Sequence, residues 1–335
     1  MAKQAQCARR ETKPNRGGGN IARKASRRES ASAASVGIAG LGIMGGAFAG
    51  HLLAAGFKVS GFDVVPNRLA ALGKRGGQPA RSCRELAATS DIIITSLPSV
   101  AAVEEAYFGR DGIAAGARRG AIVIEASTLP LALKQRCHDG LAPHGTTVLD
   151  CPVSGTGAQA AVKDLVIYAS GEPKAIAHCK PVFDAYSRAT VDAGAFGNGS
   201  KLKYLANLLV TIHNLSAAEA LVLGLKAGLT PELMAKGLYD SAGTSRMLQV
   251  RGPMMLEDRY LPATMKIDLY QKDIDIIEAF ARELKCPTPL FSASLLFYQQ
   301  ALADGRGKQD TAAICAVLKK LAGLPVRQRK AGKRG

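Results

Sequence analysis

One segment near the start of the chain constrains the fold more than any other. An apolar run at 36–39 leads into Gly40-Leu41-Gly42-Ile43-Met44-Gly45, and the residues that follow, as far as 53, have a helix-like composition. In a strand–turn–helix unit, the first glycine permits a tight turn, the second leaves room for a pyrophosphate, and the third lets the helix lie close to the sheet. The segment predicts a dinucleotide site in which the pyrophosphate meets the free N–H groups of the helix start.

Residues beyond these glycines favour that interpretation. A Gly-rich turn without function is the alternative, because the chain contains 36 glycines. However, a second apolar run at 57–62 ends in Asp63, about 20 residues beyond the motif, where a carboxylate accepts hydrogen bonds from the adenosine ribose. The same carboxylate would repel a 2′-phosphate. We therefore expect NAD as the cofactor, with NADP possible because Asn67 and Arg68 follow closely.

Strand-like and helix-like segments alternate over the first part of the chain. Strands are predicted at 36–39, 58–62, 92–97, 121–125, 147–149 and 165–169. Such alternation indicates a parallel sheet covered on both faces. After Gly199 the strand-like runs cease, and helices are predicted at 200–227, 231–239, 268–285, 288–303 and 309–322. The predicted fold class is α/β, with a doubly wound Rossmann sheet followed by an all-α domain.

The domain organisation follows from this change of character and from the charge. We expect a disordered basic tail at 1–33, a nucleotide-binding domain at 34–197, a helical substrate and dimerisation domain at 198–325, and a second basic tail at 326–335. Much of the net charge of +17 lies in the tails, with nine Lys/Arg against two Glu in the first and five without an acid in the second. Solvated ends are the simpler interpretation, and weak, salt-sensitive contact with nucleic acid is the alternative. Without interleaved aromatic residues, sequence-specific recognition of nucleic acid is not expected.

Composition argues against several other classes of protein. The seven cysteines are scattered and the five histidines lack metal-ligand spacing, so we expect no metal and a reducing compartment. The chain lacks an uncharged apolar run of 18 residues, so we expect no membrane span. The N-terminal segment lacks the apolar core of a secretory signal, and we expect a cytoplasmic protein.

A polar stripe marks the first helical segment after Gly199. Lys203, Asn207, Thr211 and Asn214 share one face of a helix that is otherwise rich in Leu, Ala and Val. A solvent-exposed stripe and a cleft between domains both explain the pattern, and the apolar character of the other faces favours the cleft. Lys201 lies about 200° around the helix from Lys203, so we expect it to be an ordinary surface lysine.

Further motifs follow the glycine loop in a recognisable order. They are Leu97-Pro98, Ser127-Thr128-x-Pro130, Asp150-Cys151-Pro152-Val153-Ser154-Gly155, Gly197-x-Gly199-x-x-x-Lys203-x-x-x-Asn207 and Lys272-Asp273. With these motifs the chain, over roughly 35–323, resembles the β-hydroxyacid dehydrogenases. That family contains 3-hydroxyisobutyrate dehydrogenase, tartronate semialdehyde reductase and L-threonate dehydrogenase. The stretch Pro287-Thr288-Pro289-Leu290 resembles the threonate branch.

The resemblance implies a reaction and a site. It implies hydride transfer between NAD(P) and a small 3-hydroxy carboxylic acid, with Lys203 as the general acid/base that moves the hydroxyl proton. It also implies a homodimer or homotetramer. Partial burial beside the positive nicotinamide would lower the pKa of the lysine into a useful range. The resemblance also implies that Asn207 holds the lysine or the substrate hydroxyl, and that Ser154 and the Gly155 N–H bind the carboxylate. It assigns the remaining contacts with the cofactor to Leu97, Pro98, Thr128 and Lys272.

The sequence also departs from the family pattern. Thr156 stands at the second glycine of the usual Ser-Gly-Gly, Lys163 replaces a glycine nine residues after Ser154, and Val100 replaces a Thr or Ser. Two alternatives stay open. One is an NADPH-dependent imine reductase, although the resemblance implies that imine reductases carry a different residue in place of Lys203. The other is a non-catalytic nucleotide-binding protein whose basic tails bind nucleic acid.

Overall fold

A computed structural model describes residues 34–326, so the predictions for the tails fall outside the described residues, except at Val326. Nine strands lie between residues 34 and 197: β1 Ser35–Ala39, β2 Lys58–Phe62, β3 Gln78–Pro79, β4 Ile92–Thr95, β5 Ile122–Glu125, β6 Thr147–Asp150, β7 Val153–Ser154, β8 Val166–Ala169 and β9 Ala189–Asp192. The helices between them are α1 Ile43–Ala54, α2 Pro66–Lys74, α3 Cys83–Thr89, α4 Val100–Phe108, α5 Ile113–Gly116, α6 Leu131–Leu141, α7 Gly157–Ala161 and α8 Pro173–Tyr186. The second part contains α9 Asn198–Lys226, α10 Pro231–Leu238, α11 Arg246–Leu256, α12 Ile267–Glu283, α13 Pro289–Ala303 and α14 Ile314–Leu321.

Six parallel strands form the main sheet, in the order β3-β2-β1-β4-β5-β6. The central strands β4 and β5 are buried along their whole length, as expected for isoleucine- and valine-rich strands covered by helices on both faces. The order reverses between β1 and β4, and ligands of such sheets bind in the crevice beyond the carboxyl ends of the strands at that reversal. The prediction of a doubly wound sheet followed by a helical domain is confirmed.

A smaller sheet, β7-β8-β9, was not predicted as a separate layer. Only β8 has a counterpart among the predicted strands, at 165–169. Strand β7 is two residues long, and β9 is half exposed with a polar end, so neither has a detectable hydrophobic period. A bridge between Asp150 and Ser170 joins the end of the main sheet to this second sheet.

The helical half is built around α9, which packs against α11, α12, α13 and α14. Helix α11 was missed because it contains Gly252 and Pro253, which normally interrupt a helical pattern. Helix α14 begins at Ile314 rather than at 309, because the carboxylate of Asp310 caps a short 3₁₀ turn by accepting from the backbone N–H of Ala312.

Helix α9 also bears on the expectation that nothing spans a membrane. Within residues 34–326 it is the one helix that is long and apolar enough to do so by length and composition. However, 44% of its most apolar window is buried inside the protein, and its polar residues Lys203, Asn207, Thr211 and Asn214 are buried as well. Core helices pass the same test of composition, and the packing of α9 is that of a core helix.

Candidate active site

The glycine loop has the geometry that a dinucleotide turn requires. Gly40 has a φ of +92°, and a Cβ atom there would lie 2.3 Å from the backbone oxygen of Ser96. A Cβ at Gly45 would lie 1.9 Å from the backbone oxygen of Gly40, so only glycine lets α1 approach the turn this closely. These two glycines therefore shape the loop itself.

Gly42 differs, because a Cβ there would meet no protein atom within 4 Å. It is the N-cap of α1, no side chain caps the helix, and the first turn carries no acidic residue. The adjacent Ile43 is 72% exposed, while Leu41 is buried and Met44 is half-buried. The open space at Gly42 and the absence of a side-chain cap on α1 fit the pyrophosphate of a bound dinucleotide.

Asp63 lies at the carboxyl end of β2, beside the loop. Its Oδ2 atom accepts from the backbone N–H of Leu41 at 2.7 Å, and its Oδ1 atom accepts from that of Val65 at 2.8 Å. The Arg68 guanidinium lies 3.1 Å from Oδ2. The structure thus places Asp63 where a ribose contact is predicted, and it adds an arginine that partly neutralises its charge.

The loops after β4 and β5 are fixed by a buried carboxylate that the sequence analysis missed. Glu125 accepts from the Ser127 N–H at 2.7 Å and from the Thr95 hydroxyl at 2.5 Å. The hydroxyl of Ser127 in turn accepts from the backbone N–H of Leu97 at 2.9 Å. The predicted cofactor contacts Leu97, Pro98 and Thr128 lie on these two neighbouring loops.

Lys203 lies one turn into α9 and is only 8% exposed. Among residues 34–326, its amine has no hydrogen-bond or ion-pair partner. Desolvation by burial lowers the pKa of Lys203, the nearby Asp273 carboxylate raises it, and Lys272 lowers it, so that the balance lies below the usual value. A lysine in this state can both lose and regain a proton near neutral pH more readily than an exposed one.

Two charged side chains of α12, Lys272 and Asp273, act electrostatically on this amine. The Asn207 side chain donates its Nδ2–H to Asp273 Oδ2 at 2.9 Å, and its expected hold on Lys203 or on the substrate hydroxyl stays a prediction. Lys272 Nζ lies 3.1 Å from Asp273 Oδ1, at ion-pair distance but without hydrogen-bond direction, and it donates to the backbone oxygen of Thr128. The structure therefore brings Asn207, Lys272 and Thr128 together with Asp273. No role was predicted for Asp273, although it stands in the Lys272-Asp273 motif.

Thr211 and Asn214, the two residues of the polar stripe that lie furthest along α9, do not line a cleft, contrary to expectation. The hydroxyl of Thr211 donates to the backbone oxygen of Asn207 at 2.9 Å, and Asn214 Nδ2 donates to the Tyr298 hydroxyl at 2.9 Å. Both are fully buried inside the helical half. The stripe can therefore line a site only around Lys203 and Asn207, whose roles stay predictions, and Lys201 is exposed as predicted.

Ser154 and Gly155 lie where β7 passes into α7. Gly155 has a φ of +141°, and a Cβ there would lie 2.4 Å from Leu165 Cδ2, so this position requires glycine. The β7 strand packs against α9, which carries Lys203. The departures also have structural counterparts: Thr156 is the N-cap of α7, and Lys163 has a φ of +61°, a left-handed conformation that glycine adopts without strain.

Sequence profiles of two protein families match most of the described chain. The profile of the NAD binding domain of 6-phosphogluconate dehydrogenase matches residues 35–195. The profile for NAD-binding of NADP-dependent 3-hydroxyisobutyrate dehydrogenase matches residues 197–318. Among residues 34–326, no group of three or more His, Cys, Asp or Glu side chains is arranged to hold a metal ion.

Individual relatives agree with the profiles. An L-threonate dehydrogenase of Cupriavidus necator is 34% identical over 263 residues, which cover 78% of this chain and 88% of the relative. The chain belongs to the β-hydroxyacid dehydrogenase family. The structure of a family member, 3-hydroxyisobutyrate dehydrogenase from Salmonella typhimurium, is 32% identical with a TM-score of 0.76, and the match covers 84% of this chain and 99% of that one. An imine reductase from Pseudomonas sp., at 19% identity and a TM-score of 0.52 over 85% of this chain and 99% of its own, shares the fold alone.

Membership of the family confirms two predictions, the enzyme class and the cofactor. The protein is an oxidoreductase of the dehydrogenase type, and its cofactor is NAD or NADP. The roles of the individual site residues stay predictions.

The first prediction concerns Gly42. We expect Gly42→Ala to weaken NAD(H) binding about tenfold or more, because its methyl group would occupy the space of the pyrophosphate. The unfolding free energy of the free protein should change by less than about 1 kcal/mol, because that methyl group meets no protein atom and only the helix cap is affected. Calorimetric titration and thermal unfolding measure the two effects. Gly45→Ala is the control, since its Cβ clashes with Gly40 and should destabilise the fold by about 1–3 kcal/mol. Unchanged affinity of Gly42→Ala would remove this glycine from the site.

The second prediction concerns the charge beside Lys203. Asp273→Asn keeps an acceptor for Asn207 but removes the negative charge that raises the pKa of Lys203, so this pKa should fall further. In the direction of alcohol oxidation, which needs the neutral amine, the rise of kcat/KM with pH should move to lower pH. Asp275→Asn, an exposed aspartate on the same helix, is the matched control and should leave the profile in place. A profile of Asp273→Asn that stays unmoved or moves to higher pH would contradict this account.

Proposed function

We propose that the protein interconverts a small 3-hydroxy carboxylic acid and its carbonyl product, with Lys203 as general acid/base. The observation that carries the proposal is the buried amine of Lys203, which has no hydrogen-bond or ion-pair partner among residues 34–326 and lies on α9, the helix that packs against β7. A lysine with no structural partner gains nothing for stability from burial, since desolvation of an ammonium group is costly.

The chemistry needs two transfers. When bound, NAD(P) takes up or delivers the hydride at its nicotinamide ring. In oxidation, neutral Lys203 accepts the hydroxyl proton of the substrate. In reduction, protonated Lys203 donates it to the developing alkoxide. Because Nδ2 of Asn207 is engaged by Asp273, its amide oxygen is left to accept from Lys203 or from the substrate hydroxyl. Ser154 and the Gly155 N–H bind the carboxylate, so that the hydroxyl is presented to the amine.

We extend the proposal to the domains, the location and the assembly of the enzyme. We propose residues 34–197 as the nucleotide-binding domain and 198–325 as the helical domain, in a cytoplasmic enzyme. Leu202, Leu205 and Leu209 of α9 are exposed and share one face, which supports self-association as a homodimer or homotetramer. Because relatives of about 30% identity include L-threonate dehydrogenases and the imine reductase shares only the fold, the hydroxy acid is the preferred substrate class. The basic tails are assigned at most weak contacts with nucleic acid.

The test of this function begins with Lys203. Purified enzyme should reduce NAD with at least one of threonate, 3-hydroxyisobutyrate and glycerate, with threonate as the first candidate. Lys203→Met should lower kcat by about 10²–10⁴-fold while the dissociation constant for NADH stays near normal. Lys203→Ala should regain activity with added methylamine, and Lys201→Ala, an exposed neighbour, should turn over normally. A Lys203→Met enzyme with more than a few per cent of wild-type activity would refute the assignment.

Stability supplies an independent readout for the same residue. The folded pKa of Lys203 lies below its unfolded value, so the unfolded chain binds more protons and stability rises with pH between the two values. At pH values below the folded pKa, the protein carries the full cost of burying the charged amine. Lys203→Met should therefore raise the melting temperature at neutral pH, and this gain should fade as pH rises through the folded pKa towards 10.5.

The preference for NAD is a separate proposal, carried by Asp63. Asp63→Asn should remove the charge that repels a 2′-phosphate and release Arg68 to bind it, raising the ratio of kcat/KM for NADP to that for NAD at least about tenfold. The double variant Asp63→Asn/Arg68→Ala should lose this gain. If the ratio is the same in wild type and Asp63→Asn, the carboxylate does not select the cofactor.

A further inference from the structure

The first turn of α9 is held by residues far from it in sequence. Its N-cap is Gly197, which has no side chain to satisfy the free N–H groups. Instead the Gly199 N–H donates to the Ser170 hydroxyl at 3.0 Å, and the Ser200 N–H donates to Asp150 Oδ2 at 2.7 Å. The Ser200 hydroxyl donates to the other oxygen of Asp150 at 2.8 Å. The cap of this helix is therefore tertiary, and it comes from the ends of β6 and β8.

The carboxylate that forms this cap is fully buried and paired. Lys134 Nζ lies 2.6 Å from Asp150 Oδ1, and both side chains are 0% exposed. The Ser170 hydroxyl lies 3.2 Å from Asp150 Oδ2 and 3.0 Å from the Asp150 backbone oxygen. A dry ion pair of this kind contributes little net stability relative to apolar residues of the same shape, because desolvation offsets the attraction. The ion pair instead contributes by fixing the positions of the segments that it joins.

The pair connects three parts of the proposed site. Lys203 follows Ser200 by three residues and therefore lies on the same side of α9, one turn further on. Asp150 directly precedes the segment that leads to Ser154. Lys134 lies on α6, which begins just after the loop of Thr128. The contact is also tight, since a Cβ at Gly199 would lie 2.3 Å from the backbone oxygen of Tyr168 and 2.6 Å from that of Asp150.

We propose that Asp150, neutralised by Lys134 and supported by Ser170, is the positioning residue of Lys203. It anchors the first turn of α9 to the carboxyl ends of β6 and β8, and it thereby keeps the amine buried and aligned with the carboxylate site at Ser154. The inference rests on the proposed role of Lys203 in proton transfer. Asp273 already places one negative charge near the Lys203 amine. Because Lys134 neutralises Asp150, this carboxylate caps the helix without adding a second net negative charge.

The experiment compares two buried Lys–Asp pairs. Lys134→Met/Asp150→Asn removes the charges of the proposed pair. Lys319→Met/Asp258→Asn removes those of a pair with a 2.7 Å contact and 4% exposure on each side, which joins α14 to the end of α11. The net charge is unchanged in both. Acetic anhydride labelling across a pH series, read by mass spectrometry, gives the titration midpoint of Lys203, with exposed Lys201 as an internal reference. Steady-state kinetics give kcat and the KM for NAD.

In Lys134→Met/Asp150→Asn, the labelling midpoint of Lys203 should rise towards that of Lys201, because the amine gains access to water. The kcat should fall about tenfold or more, with the KM for NAD within about twofold, since misalignment affects the chemical step. The control pair should lower the melting temperature without either change. Ser170→Ala, which keeps both charges, should shift the midpoint in the same direction by less, and it replaces the double variant if that fails to fold.

Two results would overturn the inference: an unmoved Lys203 midpoint in the variants at Asp150 and Ser170, or an equal shift in the control pair. Failure of the proposed function looks different. It would appear as wild-type enzyme that turns over none of the hydroxy acids, while the labelling midpoints still decide whether Asp150 positions the amine.

Discussion

The burial of the Lys203 amine, which has no hydrogen-bond or ion-pair partner within the described residues 34–326, is the constraint on which the rest of the site depends. Removing an ammonium group from water costs several kcal/mol, so its protonation state is set by the few charges that remain close. Here Asp273 and Lys272 act in opposite senses on the pKa of Lys203, and desolvation is the largest effect. If Asp273 formed a direct ion pair with Lys203, the amine would hold its proton. Because Asp273 instead contacts Asn207 and Lys272, it raises the pKa of Lys203 without forming an ion pair with the amine.

The Lys134–Asp150 and Lys272–Asp273 pairs differ in their exposure to solvent, and that difference matches their positions. Lys134 and Asp150 are completely dry and, besides their mutual contact, make four hydrogen bonds to Ser200, Ser170 and the backbone oxygen of Glu125, which suits a fixed support. The Lys272 side chain is 32% exposed and reaches from α12 to the backbone of Thr128, on a loop beside the crevice. That contact joins the loop expected to touch the cofactor to the residues that surround Lys203. A change in the loop on nucleotide binding would therefore reach Asp273 through a single side chain.

Sequence alone was sufficient for features whose signal is local. The glycines of 40–45, the alternation of strands and helices, and the polar face around Lys203 all depend on residues within one or two turns of each other. Contacts between distant segments left no such signal. Lys134 has the sequence context of a solvated helix lysine, yet it is wholly buried against a residue 16 positions away. Thr211 and Asn214 share the face of Lys203, but α12 and α13 cover them, so the same periodicity describes both a cleft and a core. Helix α11 was hidden because Gly252 and Pro253 are local signals that tertiary packing overrides.

The departures from the family pattern concentrate in the substrate loop rather than around the amine, and this distribution has a physical consequence. The loop helix α7 is tied to the nucleotide helix α1: a Cβ at Gly157 would lie 2.5 Å from Ile43 Cγ2, and His51 Nε2 lies 2.8 Å from the backbone oxygen of Ala160. Lys163 ends this segment in a left-handed conformation that costs a lysine about 1 kcal/mol or more. Such strain persists only where surrounding contacts fix the backbone. The loop proposed to bind the carboxylate is thus held by the helix that begins at the dinucleotide turn, and we expect changes at Thr156 and Lys163 to alter which acid fits while Lys203 and Asn207 keep their geometry.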